Sequence, residues 1–285
     1  NCNILRNRNI TFIGPDSGDT ACGEIGSGRF SQTSIIVNDI NKKLQNPLLS
    51  PLPQQTPKPL QGKHILITAG PTFEPIDPVR FIGNRSSGKQ GYAIAAICAA
   101  YGAQVSLISG PVAIQPDNTT PNITLILVET AAEMQQACAL ALPADCAICA
   151  AAVSDWQVAK IASSKLKKSN NIAPHIELKE TPDILAWLGH NEARPDLLIG
   201  FAAETDSLET NASDKLQRKN ADWIIANNVV QQGQSVFNAD SNEVTLITKN
   251  KTEMWERASK TEIAQKLVNS IIQYFELIEK EAGDD

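Results

Sequence analysis

Arg80-Phe-Ile-Gly-Asn-Arg-Ser-Ser-Gly-Lys-Gln-Gly91 follows an apolar run, His64–Ala69, and a Pro-rich turn, and it opens a segment whose apolar residues include Tyr92, Ile94, Ala95 and Ile97. The run reads as a strand and the segment after it as a helix. Ser86, Ser87 and Gly88 stand where a helix start wants side-chain acceptors and free backbone N–H groups, and such a start can cradle an anion. Lys89 in the first turn opposes the helix dipole, so a bound anion would relieve it. Asn84 adds a neutral side chain that both donates and accepts. The stretch reads as a loop that handles phosphate or carboxylate.

The same residues imitate a P-loop. Gly83-x-x-x-x-Gly88-Lys89 has the Walker spacing, and the run Cys146–Val153, ending near Asp155, imitates a Walker B strand. A P-loop wraps phosphate because it is a tight strand-to-helix turn with a hydroxyl for magnesium. Here Gln90 replaces the hydroxyl, and Pro71, Pro75 and Pro78 stiffen a long connection. A dinucleotide-binding module is a further alternative, but no G-x-G-x-x-G turn follows the first strand.

Outward from this stretch, apolar runs alternate with helical ones. Strands are expected at His64–Ala69, Gln104–Ser109, Ile123–Val128, Cys146–Val153, Leu197–Ala202, Trp223–Ala226 and Glu243–Thr248. Helices are expected at Gly88–Tyr101, Ala131–Leu140, Pro182–Gly189 and Leu208–Asn220, with a last one opened by the capping-box pattern Ser259-Lys-Thr-Glu262. Continuous apolar strands separated by helices imply an α/β fold with a mostly parallel sheet covered on both faces. In such sheets ligands bind beyond the carboxyl ends of the strands, which directs attention to 70–84, Gly110, 151–155, 203–206 and 227–228. Before this domain, a short strand is expected at Ile10–Ile13, and Gln45–Gly62 carries five prolines and no acidic residue, the mark of an extended linker. The expected organisation is an N-terminal remnant at 1–32, a Pro-rich linker at 33–61 and the main domain at 62–285.

The chain has 285 residues, 42% of them hydrophobic and 20% charged, and a net charge of −6. That balance argues against a nucleic-acid surface. No apolar run reaches membrane-spanning length and no signal peptide is visible, so a cytoplasmic fragment of a longer protein is expected. Of the six cysteines, Cys98, Cys138, Cys146 and Cys149 lie in Ala- and Ile-rich segments typical of buried thiols. Cys146 and Cys149 have a metal-like spacing, but a strand would point them to opposite faces. His64, His175 and His190 show no metal spacing.

Several motifs occur in order: Ile67-Thr-Ala-Gly-Pro-Thr-x-Glu-Pro-Ile-Asp-Pro-Val-Arg80, Asn84-Arg-Ser-Ser-Gly-Lys-x-Gly91, Leu107-Ile-Ser-Gly-Pro-Val112, Ala151-Ala-Val-Ser-Asp155, Lys165-Leu-Lys-Lys168, Gly200-Phe-Ala-Ala-Glu-Thr205 and Arg218-Lys-Asn-Ala-Asp222. Together they resemble the phosphopantothenate–cysteine ligases of coenzyme A biosynthesis, whose bacterial form is fused to phosphopantothenoylcysteine decarboxylase. The similarity runs from about Gln61 to the C-terminus, and it implies a Rossmann-like sheet. Gly14-Pro-x-Ser-Gly18 and Ala21-Cys-Gly-Glu-Ile-Gly-Ser-Gly-Arg29 resemble the substrate clamp of the decarboxylase, which would make Cys22 its proton donor. Without the FMN-binding part of that domain, Cys22 is expected to be inactive.

The resemblance implies a two-step amide synthesis. The carboxylate of 4′-phosphopantothenate attacks the α-phosphate of CTP, giving an acyl-cytidylate and pyrophosphate, and the amine of cysteine then displaces CMP. It assigns Lys165 to the triphosphate with Mg²⁺, Lys215 and Lys219 to further phosphate charge, and Asp155 to the nucleotide by a base contact or the metal. Cys149, Ala150 and Ala151, together with Pro182, Asp183, Ile184, Leu185 and Phe201, fall on its cytidine pocket. Asn84 falls on the acyl-cytidylate, and Ser86, Ser87 and Gly88 could hold the substrate phosphate. It also implies a homodimer through the ligase domain, larger in the full-length parent. Gln90 stands where many relatives have Met, and Trp156 where they often have Tyr. Taken singly, Lys165, Lys215 and Lys219 read as solvated charge, Asn84 as a helix cap and Phe201 as core. Only the ordered set reverses that reading.

Overall fold

The computed structural model describes residues 12–14, 16–19, 25–29, 31, 33, 35–36, 58–114, 121–167, 175–204, 214–228, 230–231, 234–235 and 241–283. They fall into two units, Asn1–Thr56 and Pro57–Asp285. In the first, β1 (Asp16–Asp19) and β2 (Ile25–Arg29) pair antiparallel. Of the strand expected at Ile10–Ile13, only Phe12 and Ile13 are described, and neither is in a strand. Cys22 lies outside the described residues.

The second unit is built on β3 (His64–Ala69), β6 (Gln104–Ser109), β7 (Ile123–Leu127), β8 (Cys146–Cys149), β11 (Leu197–Glu204), β12 (Trp223–Asn228), β15 (Ser241–Thr248) and β16 (Thr252–Ser259). Their order across one sheet is β16-β15-β12-β11-β8-β3-β6-β7. The strands from β12 to β7 run parallel, and β15 and β16 are antiparallel additions. The fold is therefore a Rossmann-like, mostly parallel α/β sheet.

The two-residue period of a strand sorts its side chains between two cores. Ile65, Ile67 and Ala69 face a cluster with Tyr92, Ile94 and Cys98 of α1 (Lys89–Ala100) and Ile263, Leu267 and Ile271 of α4 (Lys260–Gly283). Leu66 faces the opposite cluster, with Met134 and Cys138 of α2 (Ala131–Ala141), Ile184 and Leu188 of α3 (Ile184–Gly189) and Leu216 of the helical segment 214–218. Cys146 falls in the first cluster and Cys149 packs against the second, so the strand parts the two thiols as its pleat requires. α4 opens on the expected capping box: Glu262 N–H donates to Ser259 Oγ at 3.2 Å, and Ser259 N–H to Glu262 Oε2 at 2.8 Å.

Several short hairpins, among them β13 (Val230–Gln231) with β14 (Gln234–Ser235), and the edge strand go beyond the expected elements. β4 (Phe73–Pro75) and β5 (Phe81–Gly83) occupy the Pro-rich connection after β3, with Phe73 and Phe81 stacked at 4.0 Å. The route from β3 to α1 passes through this hairpin, so no tight P-loop turn exists there. β9 (Trp156–Val158) pairs with β10 (Leu178–Glu180). β16 buries Trp255 but is otherwise largely exposed, so it carries no continuous apolar run to betray it. Leu60 is fully buried and its N–H donates to Tyr101 O at 3.0 Å, which ties 58–62 to the second unit.

α1 lies almost on the backbone of β3 because Gly91 has no Cβ; one placed there would stand 2.6 Å from Ala69 Cβ and 3.3 Å from Thr68 O. Gly91→Ala is expected to cost about 1–3 kcal/mol and to lower Tm by several degrees, read by thermal denaturation followed by circular dichroism. An unchanged Tm would mean that the helix can lift off the strand freely.

Candidate functional site

The sheet is wound in two directions from its centre. From β3 the chain proceeds outward through β6 and β7, then crosses back to β8 and proceeds the other way through β11 and β12. The crevice beyond the carboxyl ends of β3 and β8 is where a doubly wound sheet binds its ligand. A cleft of about 1710 Å³ opens there, lined by Thr68, by Gly83–Arg85, by the 149–156 loop, by 180–185, and by residues of β11, β12 and the helical segment 214–218.

The loop after β8 is held in place from beneath. The strand expected to run on to Val153 stops at Cys149, because the chain then follows the prolongation of β3. Ala150 N–H donates to Thr68 O at 3.1 Å, Ala152 N–H to Gly70 O at 2.8 Å, and Pro71 bridges Ala152. Ser154 N–H donates to the buried Thr72 hydroxyl at 3.0 Å, and the Thr181 hydroxyl donates to Ser154 O. These bonds fix the main chain on either side of Asp155 and leave its side chain exposed at the cleft. Asn84 reaches the same loop, its Nδ2 donating to Val153 O at 2.8 Å.

The opposite wall is α3 and the helical segment 214–218. Asp183 caps α3 by accepting from Ala186 N–H at 3.0 Å, and its other oxygen is ion-paired with Lys219. Gly200 lets α3 approach β11: a Cβ there would stand 2.5 Å from Leu185 Cδ2. Lys215 Nζ lies 3.4 Å from Phe201 O.

The cleft thus brings together Asn84, Cys149, Ala150, Ala151, Asp155, Pro182, Asp183, Ile184, Leu185, Phe201, Lys215 and Lys219. It does not include Lys165, which is exposed on the loop after β9, nor Ser86, Ser87 and Gly88. Gly88 is the N-cap of α1 at φ 72°, and its N–H donates to Ser86 Oγ at 3.3 Å, while no side chain caps the helix. The helix begins at Lys89 rather than at the serines, because the left-handed turn at Gly88 comes first. Arg85, Glu180, Asp214 and Arg218 also line the cleft; Arg85 and Arg218 stand within the quoted motifs but carried no assigned role, and Glu180 and Asp214 lie outside them.

The side chains of the cleft are balanced in charge. Arg85, Lys215, Arg218 and Lys219 face Asp155, Glu180, Asp183 and Asp214. Among the described residues, no group of three or more His, Cys, Asp or Glu could hold a metal ion. Burial pushes the Cys98 and Cys138 thiols up to about 12. Cys149 is raised further by burial and by Cys138, against the pull of Lys215. None of the three is a thiolate at neutral pH, so Cys149 offers the cleft a small apolar wall and no nucleophile.

Fold and cleft together define a doubly wound α/β domain with its ligand crevice at the strand switch. The chain belongs to the family of DNA/pantothenate metabolism flavoprotein C-terminal domains, which residues 60–275 match. It is 43% identical over 281 residues to the coenzyme A biosynthesis bifunctional protein CoaBC of Haemophilus influenzae, covering 97% of this chain and 65% of that protein. It is also 40% identical over 274 residues to a protein of an unknown prokaryotic organism named a cysteine/cysteine sulfinic acid decarboxylase, covering 95% of this chain and 74% of that one. The crystal structure of the C-terminal domain of a CoaBC protein superposes with a TM-score of 0.64 at 40% identity, covering 77% of this chain and 98% of that domain. The chain spans about two thirds of the length of the H. influenzae relative. Among the described residues, no helix is long and apolar enough to cross a membrane.

Native alkylation with iodoacetamide at pH 8 is expected to leave the buried Cys98, Cys138 and Cys146 unmodified over a period that fully labels an exposed thiol, and to label the half-buried Cys149 of the cleft wall slowly. Peptide mass spectrometry checks this, and labelling of Cys98, Cys138 or Cys146 as fast as an exposed thiol would mean that the core opens to solvent.

Proposed function

We propose that the chain joins 4′-phosphopantothenate to cysteine at the expense of CTP, giving 4′-phosphopantothenoylcysteine, CMP and pyrophosphate. The observation that carries this reading is the convergence, at one strand switch, of side chains that are scattered along the sequence from Asn84 to Lys219. In the first step a carboxylate oxygen attacks the α-phosphorus and the bond to pyrophosphate breaks. In the second, the cysteine nitrogen attacks the acyl carbon, CMP leaves, and the nitrogen gives up a proton. Asn84 orients the mixed anhydride with an amide that does not titrate. Lys215 and Lys219 neutralise phosphate charge, and Lys219 exchanges its Asp183 partner for the ligand. Pro182–Leu185, Cys149–Ala151 and Phe201 enclose the base, while the N-terminus of α1 and the preceding Ser86, Ser87 and Gly88 receive the substrate phosphate.

Because the lining is balanced in charge, the triphosphate must draw further cations from outside it. Lys165 and Mg²⁺ supply them on this reading. Asp155, one of the exposed carboxylates of the lining, suits a metal that arrives largely coordinated by phosphate oxygens, and Mg²⁺ is usually held in this way. When bound, the ion would screen negative charge at the α-phosphate. The working unit is a homodimer. FMN-dependent decarboxylation through Cys22 belongs to a longer parent protein.

With CTP, Mg²⁺, 4′-phosphopantothenate and cysteine, equal amounts of pyrophosphate and CMP are expected. CDP with orthophosphate would mean activation as an acyl phosphate. Carbon dioxide released from cysteine without nucleotide would favour the activity named for the decarboxylase relative.

Lys165→Gln is expected to slow pyrophosphate release by about 10²-fold or more, the scale of losing one group that stabilises developing charge. Asn84→Asp should allow the first step and stall the second, so that acyl-cytidylate accumulates in quenched reactions analysed by mass spectrometry. Equal loss of the first step in both variants would remove Asn84 from the intermediate.

A further inference from the structure

Asp77 lies in the turn between β4 and β5 and is 3% exposed. Its Oδ1 accepts from Val79 N–H at 2.9 Å and Arg80 N–H at 3.0 Å, a common way for an aspartate to close its own turn. Oδ2 accepts from Arg80 Nε at 3.0 Å and Nη2 at 2.5 Å. Local turn chemistry explains all of these. It does not explain a further contact, in which Oδ2 also accepts from the main-chain N–H of Leu166, 89 residues on, at 3.1 Å.

Arg80 completes the grip, its Nη2 donating to Leu166 O at 3.0 Å. Both polar main-chain groups of Leu166 are therefore held by one ion pair, whose carboxylate is buried and whose guanidinium is partly exposed. A second tie lies four residues earlier, where Ala162 N–H donates to Ile76 O at 3.0 Å. Leu166 sits between Lys165 and Lys167, both exposed, in the polar run Ser163-Ser-Lys-Leu-Lys167. That run has no apolar anchor of its own beyond Leu166. The Arg80 guanidinium, with the backbone donors of Val79 and Leu166, holds the Asp77 carboxyl well below the usual carboxylate range, so the grip is ionised at neutral pH.

We infer that Asp77 is a positioning residue: through the main chain of Leu166 it fixes the lysine loop, residues 159–167, and so sets where Lys165 stands. The inference rests on the assignment of Lys165 to the triphosphate. A long flexible lysine that must meet charge developing at the α-phosphorus gains from a main chain already in place. The β4–β5 turn, a few residues before Asn84 of the cleft, supplies that fixed point.

Two variants of the full chain test this. Asp77→Asn weakens the grip with little change of volume. Leu166→Pro removes the gripped N–H and leaves Asp77 and Arg80 paired. Limited tryptic cleavage after Lys167, a bond that trypsin can cut in the parent and in both variants, is followed by mass spectrometry and reads the loop without reference to ligase activity. Both variants are expected to be cut there about tenfold faster than the parent chain, with cleavage at other sites unchanged. Both should also release pyrophosphate with a kcat about tenfold lower and a KM for 4′-phosphopantothenate within about twofold, the scale of a misplaced catalytic group. Unchanged cleavage in both variants overturns the grip, even if the chain proves to be no ligase. A freed loop with full kcat overturns the positioning role and with it the part given to Lys165. Cleavage spread over the whole chain in Asp77→Asn, with Leu166→Pro silent, reduces Asp77 to a residue of the fold and also overturns the inference.

Discussion

The pairing of β3 with β8 is the constraint on which the rest of the second unit depends. Ile65 to Thr68 stand in register with Cys146 to Cys149, and Ile65, Leu66, Ile67, Cys146, Ala147 and Ile148 are all fully buried. Strands covered on both faces admit no unpaired polar side chain, so polar chemistry can begin only where they end. Thr68 marks that limit: it is 1% exposed, and its hydroxyl accepts from Ala151 N–H at 3.3 Å, the first main-chain group beyond β8 to be held by a side chain of β3. Every side chain assigned to the cleft follows from that boundary. The reversal of winding at the same place keeps helices from covering it.

Close approach at the boundary is secured by glycines with defined tasks. Gly70 and Gly88 both adopt positive φ, and a Cβ at either would come within 2.9 Å of Val112 Cγ1. Gly110 meets Pro71 O so closely that no side chain fits between them. The loops that follow β3 and β6 and the turn into α1 are thus packed backbone to backbone. This leaves the first N–H groups of α1 near the crevice with no side-chain cap.

Electrostatics in the cleft is arranged by pairs rather than by an open cationic surface. Lys219 is matched by Asp183, which also caps α3. Asp183 is half-exposed while Lys219 is mostly buried, so a ligand phosphate that replaces Asp183 would keep the lysine's charge paired.

The sequence by itself determined the α/β class, the strands of the parallel sheet, the capping box of α4 and the parting of Cys146 from Cys149, because all of these rest on local periodicity and side-chain chemistry. The order of the motifs likewise carried most of the residues that meet in the cleft. Tertiary structure alone decided the rest. The β4–β5 and β9–β10 hairpins have strands of three residues, too short for a period to register, and β16 is an edge with few buried side chains. The arrest of β8 at Cys149 depends on bonds to Thr68 and Gly70, some 80 residues earlier in the chain. Asp77 is legible as a turn residue in Asp77-Pro-Val-Arg80, but its hold on Leu166 is not. A hydrogen bond between distant segments leaves no spacing in the chain, and only the packed sheet brings its two ends together.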